Sequence, residues 1–278
     1  MYNSERSAIE LAAFLIGKKH TFIKKIFLKE EEMKKKICMI IGLILLLAAT
    51  VFAFLFFKEW NQYKEETQTY LDLSEDYTEQ SEEEWNVEHA ALHDINSDYV
   101  AWIRVPDTLI DFPIVQAADN EKYLNRDFYG DYSSSGCVFV DAFNDMKKDR
   151  NIVIYGHNMG SNKTSMFSTL TKYYDPEYAA EHDRIFIDYY EEGLKEYKVF
   201  AVLNYNIADD ENGTFYYASL KFDDEKYEKF LENILKRSLY QSEYSIDELK
   251  EKRMITLSAC DRRTYGTNGR CVIYAVEI

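Results

Sequence analysis

The sequence predicts a mainly β fold with helical additions, set behind N-terminal helices and one membrane-spanning helix. Three observations predict it. Residues 37–57 run for 21 positions without a charge, an acidic stretch follows with aromatic residues at helical spacing, and eight short β-rich runs come after Asp98. With 278 residues, 46% hydrophobic and 15% aromatic, the chain can bury the core of one large domain or two small ones. Only 10 Gly and 3 Pro exclude collagen-like and low-complexity classes.

The apolar run, ICMIIGLILLLAATVFAFLFF, gives a helix about 31 Å long, enough for a hydrocarbon core of about 30 Å. Lys34, Lys35 and Lys36 precede it, so residues 1–36 are expected in the cytoplasm and everything after Phe57 outside. Residues 37–57 read as an uncleaved anchor, because the run is longer than a signal peptide's and ends without a small-x-small site. Met33, three Lys and the apolar run have the form of an ordinary start, which leaves residues 1–32 as either a cytoplasmic extension or an upstream start.

Charge divides the chain at the same place. Residues 1–57 carry 9 basic and 5 acidic groups, which leaves 24 and 44 for the rest, a charge of −20 within a total of −16. Such an acidic body excludes general nucleic-acid binding, which needs a cationic surface. From Glu65 to Ile103 there are 12 acidic residues and no Lys or Arg. Trp60, Tyr63, Thr67, Tyr70 and Leu71 nevertheless recur as on an amphipathic helix, so residues 58–98 are expected as packed helices in preference to a solvated stalk. Ser81 with Glu84 resembles a capping box opening a second helix through Trp85, His89 and Leu92.

Strands are expected at 99–105, 109–116, 137–141, 151–155, 184–190, 197–205, 253–259 and 270–277, which argues for a sandwich or barrel over residues 99–278. Helical inserts are expected at 165–180 and 224–239, the latter carrying an apolar stripe of Tyr227, Phe230, Leu231, Ile234 and Leu235. Asp209–Gly213 has some character of a calcium loop but lacks its spacing, and Asn-Gly joining two strands is the simpler reading.

Four Cys without a CxxC pair exclude the common zinc modules and a disulfide scaffold. Cys38 falls in the anchor, and Cys137 lies in an apolar strand, where an inert core thiol is expected. Cys260 differs, ending the strand Met254-Ile-Thr-Leu-Ser-Ala-Cys260 and opening a polar run to Gly269. By alternation, Ile255, Leu257 and Ala259 face the core, while Thr256, Ser258 and Cys260 face a groove. If residues 261–269 turn the chain back, Arg270 lies beside Cys260, where its guanidinium would favour thiolate and could donate to an oxyanion. Arg cannot serve as a base, so a proton carrier is needed. His157, just past a strand end in Tyr-Gly-His-Asn-Met-Gly160, is the best placed of five His. His20, His89, His93 and His182 look like ordinary surface or helix-end residues. On these residues alone a structural reading of all three side chains stays open.

The block YGHNMGSNKTSMF at 155–167, TLSAC at 256–260 and the Arg ten residues beyond the Cys resemble a class B sortase. The similarity extends through AWIRVPDTLID at 101–111, PIVQ at 113–116 and DNEKYL at 119–124, and covers roughly residues 85–278. It implies an eight-stranded β-barrel and a membrane-tethered cysteine transpeptidase. Cys260 would be the nucleophile, His157 the general acid/base and Arg270 the group that steadies the scissile carbonyl. Substrate contacts carry over onto Asn120, Leu124, Tyr155 and Ser258. Two departures are Ala259, where many members have Thr, and Cys271, which by alternation should point away from Arg270 into the core.

The implied partners are an exported protein bearing a C-terminal sorting motif, cleaved after a Thr, and an amine acceptor on a peptidoglycan precursor or a pilin lysine. No cofactor or metal is expected, since no phosphate loop or ligand cluster is visible. A hydrolytic cysteine peptidase and a non-catalytic anchored surface protein are the rival readings.

Overall fold

A computed structural model gives the structure of residues 2–80, 85–160, 165–212 and 215–278. Two compact units divide the chain, residues 1–62 and 63–278. The first lies within α1, Tyr2–Tyr77. Leu43, Leu46, Phe52 and Phe56 are all exposed along it, as lipid-facing side chains would be. By length and composition this segment is fit to cross a membrane once.

The second unit opens with the last turns of α1. Tyr70 of the expected stripe is buried there in the main core with Leu73, and Tyr63 and Thr67 are half-buried, while Leu71 is exposed, so from Tyr63 onward the packed face follows the expected stripe except at Leu71. Next come a small antiparallel pair, β1 (Thr78–Gln80) and β2 (Trp85–Val87), and a short helix, α2 (His89–Ile95). The expected helix through Trp85 is therefore a strand as far as Val87, because residues 85–87 pair with 78–80 before the chain turns helical. Ser81 and Glu84, the expected capping box, lie outside the described residues.

The barrel strands are β3 (Tyr99–Arg104), β4 (Asp111–Val115), β5 (Val138–Val140), β6 (Asn151–Tyr155), β7 (Arg184–Tyr189), β8 (Gly193–Asn206), β9 (Met254–Cys260) and β10 (Gly269–Glu277). They close in the order β10-β8-β7-β3-β4-β5-β6-β9, with β4–β5 and β6–β9 parallel and the other pairs antiparallel. Every expected strand is present. β8 is longer than expected because Gly193, at φ +74, turns the chain so tightly that pairing with β7 starts at once.

Alternation sorts the side chains. Ile255, Leu257 and Ala259 of β9, with Cys271, Ile273 and Ala275 of β10, join the main core. Val272, Tyr274 and Val276 of β10 join a second cluster, where α4 (Asp224–Arg237) seats Tyr227, Phe230, Leu231 and Ile234 on the barrel wall. Each of those four side chains contributes about 1.5–3 kcal/mol by burial. Asp223 caps α4, accepting from Lys226 N at 2.8 Å.

The insert expected at 165–180 is two pieces, a tight helical turn at Phe167–Tyr174 and α3 (Pro176–Glu181), separated because Asp175 is extended and caps Pro176-Glu177. Asn-Gly at 212–213 does not join two strands: Ile207–Asn212 is a helical turn leading towards α4, and residues 213–214 lie outside the described residues. His89 is also no ordinary surface residue, since its Nε2 lies 3.1 Å from the Asp188 carboxylate and its Nδ1 2.9 Å from Tyr99 Oη.

Candidate active site

β9 carries Cys260 to the rim of the barrel, and β10 brings Arg270 back opposite it, the two Cα positions being register partners. The return is very tight. Asp261 N donates to Gly269 O at 2.9 Å, and a Cβ on residue 269 would sit 1.8 Å from Asp261 O. Gly269 is therefore required for space, since its φ of −73° is open to any residue. Asp261 is buried and accepts from Arg263 N, Nε and Nη2 at 3.2, 2.9 and 3.2 Å. Burial alone would raise its carboxyl, but the Arg263 hydrogen bonds outweigh that and hold it below the usual range. Arg270 Nη1 donates to the carbonyls of Thr267 and Gly269 at 3.0 and 2.8 Å, which fixes the guanidinium at the rim.

His157 arrives along β6, which runs parallel to β9 with Tyr155 opposite Ser258. Two residues further on each strand, 157 is level with 260. Gly156 N donates to Ser258 O at 3.2 Å and keeps the chains together past the ladder. A Cβ on Gly156 would meet the Phe167 ring at 2.7 Å. The imidazole Nε2 is 2.7 Å from Leu124 O. A carbonyl can only accept, so Nε2 carries a proton and Nδ1 is the nitrogen left to exchange one.

Cys260, His157 and Arg270 line one cavity of about 260 Å³, and Asn120, Leu124, Tyr155 and Ser258 line it too. All seven residues singled out in the sequence thus meet in one place. Three of the four expected contacts have polar atoms already engaged. Asn120 Nδ2 and Tyr155 Oη both donate to Asp141 Oδ2 at 3.0 Å, Asn120 Oδ1 accepts from Ala142 N at 2.7 Å, and Ser258 Oγ donates to Tyr217 Oη at 3.3 Å. The groove face of β9 is open only at its end, because Thr256 and Ser258 are buried beneath Asn151 and Tyr217. Burial raises the Tyr217 phenol, against which Ser258 and Arg270 act.

Tyr217, Phe139 and Asp141 belong to this site and were not singled out in the sequence. Tyr217 sits in the irregular stretch between β8 and α4, where no periodicity marks a direction. The outward face of Ser258 was the one signal that something must cover it.

The other barrel thiols are sealed. Cys137 and Cys271 are fully buried and burial pushes each up to about 12. Cys271 packs away from the cavity with Sγ 3.4 Å from Leu170 O, as alternation requires. A second cavity, of about 460 Å³, also reaches Cys260 and His157, but its other walls include Ser134, Thr171, Arg262 and Arg263. Among the described residues no group of three or more His, Cys, Asp or Glu is placed to hold a metal ion.

A barrel that offers one accessible Cys beside a His and an Arg matches the sortase domain family, whose model covers residues 103–278. Sortase B of Listeria monocytogenes is 35% identical over 184 residues, spanning 66% of this chain and 70% of that one. The X-ray structure of Clostridium perfringens sortase B superposes with a TM-score of 0.62 at 34% identity, over 69% of this chain and 100% of that one. A Staphylococcus aureus sortase B–substrate complex gives 0.61 at 26% identity, over 79% and 94%. The chain therefore belongs to the sortase family, in its class B. The family is one of cysteine transpeptidases that act on sorting-motif substrates.

Proposed function

We propose that this protein is a membrane-anchored transpeptidase that cuts an exported protein after the Thr of its sorting motif and joins the new acyl end to an amine of a cell-wall precursor. The observation that carries the reading is the meeting of Cys260, His157 and Arg270 in one cavity while Cys137 and Cys271 are buried.

The Cys260 thiolate, whose proton rests on His157 Nδ1, attacks the carbonyl carbon after Thr, and the electron pair of the C=O bond moves to oxygen. Arg270 donates to that oxyanion. Collapse breaks the C–N bond, His157 gives its proton to the leaving amine, and a thioester remains on Cys260. The acceptor amine then attacks the thioester and returns a proton to His157, and the thiolate leaves. Two cavities meeting at Cys260 and His157 support transfer over hydrolysis, because donor and acceptor can each approach through its own opening. Asn120, Leu124, Tyr155 and Ser258 take the motif in the first cavity. The Lys34–Lys36 cluster supports an N-terminus in the cytoplasm, residues 37–57 in the membrane, and the barrel outside.

The test pairs a sorting peptide with three amines: oligoglycine, a peptidoglycan stem peptide and a lysine-bearing pilin peptide. A joined product with a cell-wall amine, and a thioacyl adduct on Cys260 by mass spectrometry, are expected. Cys260→Ala and His157→Ala should abolish both. Joining only to the pilin lysine would make the enzyme a pilus polymerase, and a cleaved acid in every arm would make it a hydrolytic peptidase. Unchanged behaviour of Cys260→Ala would leave an anchored surface protein.

A further inference from the structure

His157 is held at its Nε2 by Leu124 O, and its ring edge lies against a second segment, the loop Ser133–Gly136. A Cβ on Gly136 would sit 3.1 Å from His157 Cδ2 and 2.4 Å from Tyr123 O. The loop can therefore lie this close only because residue 136, at φ +61, has no side chain. Cys137 N donates to Tyr123 O at 3.1 Å, which ties the loop to the same backbone that bonds the imidazole. Any shift of residues 133–136 is thus felt by the ring through two contacts.

What holds this loop comes from 66 to 69 residues away, on α1. Glu66 accepts from Ser134 N at 2.9 Å, Ser135 N at 3.1 Å, Ser135 Oγ at 2.7 Å and Ser134 Oγ at 3.0 Å. One turn further along the same face, Tyr70 Oη donates to Gly136 O at 2.7 Å. Tyr70 is itself buried in the core against Phe112, with ring centroids 5.7 Å apart. A carboxylate that collects four donors from two successive residues fixes their backbone far more firmly than a neutral contact would. The loop has no regular secondary structure of its own, so these bonds replace a strand ladder.

We propose that Glu66 and Tyr70 are positioning residues for His157, locking the Ser133–Gly136 loop against the imidazole so that Nδ1 stays aimed at the reacting atoms. The proposal rests on the reading that His157 moves the proton.

The test uses the full chain in detergent, labelled at histidine, with Glu66→Gln, Tyr70→Phe and the double variant. Gln keeps one accepting oxygen but presents an NH₂ to two of the donors. The transfer rate constant kcat should fall about tenfold or more in the double variant with KM within about twofold, since a misplacement near 1 Å costs about a hundredfold. The ring resonances of His157 should move and broaden, while those of His182, held separately by Tyr178, serve as an internal reference. Unmoved His157 resonances, or an unchanged kcat, would overturn the proposal whatever happened to the melting temperature. Should the double variant not fold, Glu66→Gln alone carries both readouts. If His157→Ala transfers as fast as the parent, the assignment of the proton to His157 fails, and the resonances alone decide whether α1 holds the ring.

Discussion

Replacing Gly269 by Ala tests whether the narrow return between β9 and β10 sets the Cys260–Arg270 pair. The new methyl would lie 1.8 Å from Asp261 O and 3.0 Å from Asp261 C, both backbone atoms that no rotamer change can move aside. Ordinary contact needs about 3.4 Å or more, so the strands must part by about 1.5 Å at this level. Parting them lengthens the 2.9 Å bond from Asp261 N to Gly269 O and carries Arg270 with it, since its Nη1 is fastened to the carbonyls of Thr267 and Gly269. A displacement of that size at a reacting centre costs about a hundredfold in rate. Loss of one backbone hydrogen bond costs about 1–3 kcal/mol of stability.

The control is Gly193→Ala, in the β7–β8 turn. It meets nothing within 4 Å but sits at φ +74, so it strains the backbone by about 1–3 kcal/mol without touching the site. Peptide transfer and thermal unfolding are measured on both. Similar losses of stability are expected, with transfer reduced about a hundredfold in Gly269→Ala and little changed in Gly193→Ala. Equal transfer rates in the two variants would refute the reasoning that this return, and not the barrel as a whole, aligns the pair.

Asp141→Ala should act on substrate binding: it frees Asn120 and Tyr155 from their shared acceptor, and losing one hydrogen bond to a charged group costs about 1.5–3 kcal/mol. A KM for the sorting peptide raised about tenfold or more, read in steady-state assays, is expected, and an unchanged KM would remove Asp141 from the site. Burial raises the Cys137 and Cys271 thiols to about 12, above an unfolded value near 8.5, so the folded state holds these protons more tightly. Their contribution is fully present below about pH 8.5 and is lost as pH rises towards about 12; urea midpoints should fall over that window, and less steeply in Cys271→Ala. At neutral pH a bulky water-soluble maleimide should label Cys260 and spare Cys137 and Cys271, as intact-protein mass spectrometry would show.

The parts of the site that were legible in the sequence are those carried by regular strands. Alternation in Met254–Cys260 told which side chains leave the core, and a turn-back at 261–269 sufficed to set Arg270 opposite Cys260, because antiparallel pairing leaves few other registers. His157 was marked by its place beyond a strand end between glycines, although the parallel pairing of β6 with β9 that levels it with Cys260 is a long-range fact no local pattern contains.

What the sequence withheld lies off the strand ladders. Tyr217 reaches Ser258 from an irregular segment, and Glu66 reaches Ser134 and Ser135 from a helix far earlier in the chain. Neither residue differs in type or spacing from its neighbours: Glu66 is one of 12 acidic residues in a stretch whose packed face is marked by its aromatic residues and not by any carboxylate. Its role follows from packing: once Tyr70 and Leu73 are drawn into the core, the helix face one turn before Tyr70 must meet the Ser133–Gly136 loop, and a carboxylate there finds donors that water would otherwise satisfy. The same argument explains the misread helix at Trp85. Residues 85–87 find their backbone partners in residues 78–80, so the chain is extended there and turns helical only from His89, where Leu92 enters the core.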